Sequence, residues 1–299
     1  MRQNRRIFLI IIVVMSCGNI AGQSNFDNED TLTSRFPTVG AYLWCDYGQY
    51  RNEIFLDFAK KNGVSEIYLA QRDVDYPKFE NDSLKTVNCY FAKTKYFLEM
   101  MHKRNLKTFL LIGSQKDSIE HFKSELINIS EKIKRAIEYN KQVPDSLKFA
   151  GIHLDIEFSN IKDDTTTQYQ LFSEWIVQSC GEYRKHIKMD FSIVLYNQKV
   201  KYKEDSTELY KVVINEGDRT FIQRYRNNAD SIFDYVEPMI KYAASQNKAI
   251  IYTIQPKDFK GGYKHMYKQM SLLYDKTTYE NIGIAIHTLT SWFIKAAEE

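Results

Sequence analysis

Two carboxylates and an imidazole alternate with aliphatic residues in one short stretch, Ala150–Glu157 (AGIHLDIE), as His153, Asp155 and Glu157. Residues two apart on a β-strand share a face, so these three lie on one side and Ile152, Leu154 and Ile156 on the other. The two carboxyl groups then stand about 7 Å apart at the backbone. Such a pair suits general acid–base work, because each carboxylate raises the pKa of its neighbour and one can keep its proton near neutrality. Burying both is costly unless they are solvated, hydrogen-bonded or neutralised. The competing reading is a pair of strand-end acids bonded to loop amides. His153, one pleat below Asp155, reads as a hydrogen-bond support that fixes a carboxylate. Its ligation of a divalent ion with Asp155 and His287 is chemically conceivable, but no close-set ligand motif accompanies it, and neither a metal nor another cofactor is expected. No P-loop, GxSxG or Cys-His nucleophile signature occurs.

Strand-like and helix-like runs alternate along the chain, and this alternation must position the pair. The strand-like runs are Val39–Trp44, Glu66–Gln71, Thr108–Gly113, Ala150–Glu157, Met189–Tyr196, Asp234–Ile240, Ala249–Gln255 and Ile282–His287. Between them, apolar residues recur at helical spacing, as in Tyr96-Phe97-Met100-Met101 and Met266-Met270-Leu273. Strand–helix alternation implies parallel βαβ units, and eight strands in about 260 residues match an α/β fold with a single (β/α)8 TIM barrel. An open doubly wound sheet is the alternative, but no Gly-rich turn follows the first strand. In a barrel the aliphatic face of the fourth strand packs on helices. Its acids then point inward at the C-terminal mouth, where such barrels carry their chemistry.

Other residues at strand ends could line a ligand cleft. Tyr42, Trp44 and Asp46 share a face of the first strand; Trp44 reads either as a stacking platform for a sugar ring or as core. Tyr196 and Asn197 end the fifth strand, with hydrogen-bonding groups for a substrate. Glu237, on the expected sixth strand, joins the cluster if its face points inward and is a solvated charge if not. Gln255 ends the seventh strand. On the eighth, Gly283, Ala285 and His287 alternate with isoleucines. His287 then lies near Glu157 or is a satisfied core histidine. Trp292 either floors the pocket or caps the last helix.

The fourth-strand segment resembles the DGxDxDxE signature of family 18 chitinases and endo-N-acetylglucosaminidases. It is also similar to a Gly-Ile-His-Leu-Asp-x-Glu segment of bacterial barrels related to glycoside hydrolases, a likeness that extends to Asp234-Tyr235-Val236, Met239, Ile250-Ile251, Gly283–His287 and Ser291-Trp292. The resemblance implies that Glu157 is the general acid/base and that Asp155 assists through a substrate N-acetyl group, so that no second protein nucleophile is required. The first two acids of the signature fall here on Ala150 and His153, and its strand-six Met-x-Tyr-Asp is Met239-Ile240-Lys241-Tyr242. The implied activity is hydrolysis of an oligosaccharide or polysaccharide containing N-acetylhexosamine or a related sugar. The alternatives are a non-catalytic glycan-binding envelope lipoprotein and a metal-assisted phosphodiesterase or other hydrolase.

Composition and the N-terminus bound the setting. Forty-one basic and 38 acidic residues give a net charge of +3 over 299 residues, which lacks the basic excess expected of a nucleic-acid partner. Arg2, Arg5 and Arg6 precede an apolar run, Ile7–Met15, of nine residues. That run is too short to span a bilayer and reads as part of a signal peptide over residues 1–22. Val14-Met15-Ser16-Cys17 resembles the lipobox of bacterial lipoproteins. Cleavage before Cys17 and acylation of its sulfur follow from that resemblance, whereas ordinary cleavage near Ala21-Gly22-Gln23 would leave a periplasmic or secreted protein. Gly18 is not a retention Asp and points to the outer membrane. Residues 23–36 read as a flexible linker and 37–299 as the barrel. Cys45, Cys89 and Cys180 have neither disulfide-framework nor metal spacing.

Overall fold

Strands with apolar residues on both faces need cover on both faces, which a parallel sheet ringed by helices provides. The computed structural model describes residues 32–44, 49–70, 92–115, 118–157, 162–194, 201–202 and 207–297. Eight parallel strands close into a barrel: β1 (Val39–Leu43), β2 (Glu66–Ala70), β3 (Lys107–Gln115), β4 (Gly151–Glu157), β5 (Lys188–Val194), β6 (Arg219–Gln223), β7 (Ala249–Ile254) and β8 (Ile282–Ile286). Each pairs with its sequence neighbour, and β8 closes on β1 with Val39 opposite Ile284. The helices that follow the strands are α1 (Gln49–Lys61), α2 (Ala92–Lys103), α3 (Ile119–Gln142), α4 (Lys162–Tyr183), α5 (Leu209–Glu216), α6 (Ala229–Ser245), α7 (Gly262–Lys276) and α8 (Leu289–Ala297). The architecture is a single (β/α)8 TIM barrel.

Two apolar layers hold it together. Outward residues such as Ile152, Leu154, Ile156, Ile284 and Ile286 pack with Ile133, Phe172 and Met266 of the helices. The axis is filled by Tyr42, Tyr68, Phe109, Leu111, Phe221, Ile251 and Ala285. Large rings fit there because small residues face them. A Cβ on Gly40 would come within 2.5 Å of the Tyr68 ring, and one on Gly151 within 2.5 Å of Phe109.

The sixth strand differs from the expectation. Asp234–Ile240 lies inside α6, and the strand is the preceding Arg219–Gln223. The buried residues Ile232, Val236, Met239, Ile240 and Ala243 recur at helical spacing. Asn228 caps the helix by accepting a hydrogen bond from the Ser231 amide at 2.8 Å. Read over seven residues, the β-prone Tyr235, Val236 and Ile240 concealed that longer period. The expected linker also ends early: Leu32–Arg35 is a helical turn, Phe36 packs edge-on against Tyr274 of α7, and Leu32 and Phe36 are buried.

At the N-terminal foot of the barrel, Arg219 crosses the axis. Its guanidinium donates to Asp190 on β5 at 2.6 Å and to Glu66 on β2 at 2.7 Å, and Tyr68 donates to the same Glu66 oxygen at 2.9 Å. The Phe109 ring lies 4.6 Å from the guanidinium carbon. Desolvation makes such a cluster costly to create and more costly to leave half-made. Arg219→Leu leaves two carboxylates facing each other beneath a packed core, and is expected to lower the unfolding free energy by about 3–5 kcal/mol in urea titrations at pH 7.

Candidate functional site

The entry to β4 is fixed from outside. Asn140 of α3 accepts from the Phe149 amide and donates to the Phe149 carbonyl, both at 2.9 Å, and the Ala150 amide donates to the Thr108 carbonyl at 2.7 Å. These bonds set the phase of the alternation that follows. Asp155 then lies level with Gly113 of β3 and Ser192 of β5, and Glu157 level with Gln115 at the C-terminal end.

Asp155 is 4% exposed. One of its oxygens accepts from the Gln223 amide nitrogen at 2.6 Å, and the Tyr225 hydroxyl donates to the Gln223 amide oxygen at 2.7 Å. Burial, and secondarily the charge of half-buried Glu157, push the Asp155 carboxyl up to about 7, while bonds from Gln223 and Ser192 pull it back. Burial thus keeps Asp155 from ionising as readily as an ordinary carboxyl.

His153 is fully buried beneath it. Its Nε2 lies 2.9 Å from the Tyr42 hydroxyl and 2.9 Å from the Ser192 hydroxyl. Burial, followed by the nearby Arg219 and His287, holds its pKa well below the ordinary imidazole range, so the ring is neutral. Its Nδ1 is buried without a hydrogen-bond partner. Burial likewise lifts the Tyr42 phenol well above its usual pKa.

On the opposite wall, the Trp44 indole donates to His287 Nε2 at 3.0 Å. An indole can only donate, so Nε2 is the acceptor and a neutral His287 carries its proton on Nδ1. The side-chain amide of Gln255 lies 3.3 Å from that nitrogen and satisfies the proton when it presents its oxygen. Burial pushes the His287 pKa down to about 4. The Tyr225 ring lies 5.7 Å from His287. Trp44 overhangs Gly113, where a Cβ would come within 3.1 Å of the indole.

Asp155, Glu157, His153, Trp44, Gln255 and His287 thus face the C-terminal end of the axis from β1, β4, β7 and β8. Glu237 does not. It lies on α6, paired with Lys241 at 2.8 Å, because its segment is helical. Tyr242 on the same helix donates to Asn215 instead of facing the axis. Trp292 is fully buried, edge-on to Phe58 at 5.2 Å, in the layer between barrel and helices. Asp46, Tyr196, Asn197, Cys17, Cys45 and Cys89 lie outside the described residues; Cys180 is buried on α4. Gln223, Tyr225 and the Ser192 hydroxyl escaped the sequence reading. The alternation Arg219, Phe221, Gln223, Tyr225 is the signal that could have found the first two. Among the described residues, no group of three His, Cys, Asp or Glu side chains is set to hold a metal ion.

No protein-family model matches the sequence, and no curated protein matches it. Solved structures share the fold. A Bacteroides thetaiotaomicron VPI-5482 protein, provisionally described as an alpha-L-fucosidase, superposes with a TM-score of 0.56 at 12% identity, over 86% of this chain and 87% of that one. The cellulose synthase subunit Z of Clostridioides difficile gives 0.53 at 13% identity, over 86% and 93%. An endo-beta-N-acetylglucosaminidase from Cordyceps militaris gives 0.49 at 14% identity, over 84% and 81%. The chain shares with the first two the (β/α)8 TIM-barrel fold.

A carboxyl whose pKa rises from near 4 when unfolded to about 7 when folded opposes folding once it ionises. The native state gains from the proton in full below pH 4 and loses that gain as pH climbs through 7. Asp155→Asn removes this dependence. Relative to the parent, the variant is expected to become more stable between pH 4 and pH 8 by on the order of 3 kcal/mol, measured by chemical denaturation at both values.

Proposed function

We propose that the protein is a glycoside hydrolase that cleaves a glycan containing N-acetylhexosamine or a related sugar, with Glu157 as general acid/base and Asp155 assisting. One observation carries this reading: two carboxyls share the inner face of β4 at the barrel mouth, one buried and the other half-buried beside it. A half-buried Glu157 at the strand end can reach a glycosidic oxygen. Asp155 beneath it can hold or release a proton as charge develops on the substrate. A substrate acyl group bonded to Asp155 would serve as nucleophile, which suits a mouth where Glu237 supplies no second carboxylate. Trp44 offers a ring for stacking against a sugar, and His287 and Gln255 offer hydrogen bonds beside it.

Chromogenic β-N-acetylglucosaminides test the reading. Turnover is expected with the parent enzyme, and Glu157→Gln is expected to lower kcat by about 10²–10⁴-fold with little change in KM. Binding of chitooligosaccharides without turnover, unaffected by Glu157→Gln, would instead mark a glycan-binding barrel. Turnover lost to a chelator and restored by a divalent ion would mark metal-assisted hydrolysis.

The setting proposed is the outer membrane, through acylation of Cys17 after cleavage of the signal peptide. Cells fed labelled palmitate are expected to label the full chain and not Cys17→Ser, which should leave the membrane fraction; equal labelling of the two would exclude the anchor.

A further inference from the structure

We propose that Gln223 and Tyr225 form a positioning pair that holds one carboxyl oxygen of Asp155 and leaves the other free for the reaction. The inference deepens the glycosidase reading and rests on it for the kinetic half of its test alone.

The geometry is a chain of two short bonds running from the rim inward. Tyr225 is half-buried beside His287, and its hydroxyl donates to the Gln223 amide oxygen at 2.7 Å. Gln223 is 4% exposed, and its amide nitrogen donates to one Asp155 oxygen at 2.6 Å. An amide has two nearly isosteric ends, and only one of them donates. With its oxygen engaged by Tyr225, Gln223 turns its NH2 toward Asp155, and the carboxyl plane is fixed by that contact. Donation into a carboxyl favours the ionised form, whereas burial and a neighbouring carboxylate favour the protonated one.

The groups that bear on Asp155 define what the pair must offset. Glu157 on the same strand discourages ionisation of Asp155, and the charge of Asp155 in turn helps keep the Tyr42 phenol on β1 protonated. His153 below and His287 on β8 are held neutral by burial and add no cation. Ser192 on β5, level with Asp155, also favours its ionised form. Without Gln223, Asp155 would keep its proton well above neutrality and could not pass it on. Without Tyr225, the amide could turn and present an oxygen instead of NH2. The pair therefore keeps the proton of Asp155 transferable. It touches no reacting atom and acts only through Asp155.

The test is a titration combined with kinetics. Asp155 is followed by ¹³C NMR in protein labelled at aspartate carboxyl carbons, its signal identified by loss in Asp155→Asn. In Gln223→Leu the titration is expected to move upward by about one pH unit or more, and in Tyr225→Phe by less and in the same direction. Thermal unfolding confirms that each variant is folded. With a chromogenic substrate, kcat is expected to fall about tenfold in Tyr225→Phe with KM nearly unchanged, and the pH limb set by Asp155 should move alkaline in step with the NMR titration. An unmoved titration in folded Gln223→Leu overturns the proposal. Movement in Gln223→Leu but not in Tyr225→Phe overturns the part given to Tyr225. If the titrations move as expected while no glycoside is turned over, the pair stands and the glycosidase reading falls.

Discussion

A carboxyl group enclosed at the centre of a packed barrel is badly solvated, and it is stable only if its surroundings are built around that fact. Asp155 is such a group, with aromatic rings beneath it and Glu157 above. Water cannot reach it freely, so the proton it carries is governed by the donors that touch it and by the nearest charge. Those donors come from β5 and β6, and the charge comes from β4 itself. The site is therefore a property of several strands held in register. Each contributes one or two atoms at a height fixed by the backbone ladder.

The axis is graded from foot to mouth. At the foot, Arg219 bridges the carboxylates of Asp190 and Glu66. Above it, Tyr68, Phe109 and Phe221 form an aromatic layer against which His153 packs, with hydroxyls as its hydrogen-bond partners. At the mouth, Asp155 has no cation paired with it and is held by the Gln223 amide instead. The lower cluster is closed by Arg219, while the upper one holds a carboxyl without a paired cation.

How much of this could be read from the sequence depended on the length of each pattern. Seven strands carried short alternating or aliphatic runs bounded by helical periods, and the inward faces of β4 and β8 followed from simple alternation at His153, Asp155 and Glu157 and at Gly283, Ala285 and His287. The sixth strand carries Arg219 at its foot and Gln223 at its top, so it is polar at both ends and has only Phe221 and Ile222 to announce it. The more apolar segment after it drew the assignment, taking Glu237 toward the site and Gln223 and Tyr225 out of it. The Arg219 cluster was unreadable for a different reason: its partners come from β2 and β5, and no local spacing encodes a contact across the axis. Trp292 shows the converse, a large aromatic near a strand end whose role is set by the neighbouring helix.

The seam between β1 and β8 joins the earliest and latest strands of the barrel, and Trp44 reaches across it to His287. A nascent chain leaving the ribosome carries Asp155 and Glu157 long before the segment that will face them has been made. Until residue 287 emerges, the ring is an open sheet with two bare edges and one wall of the cleft is missing. Assembly of this wall thus waits for β8, and a chain interrupted before it carries the acids without their enclosure.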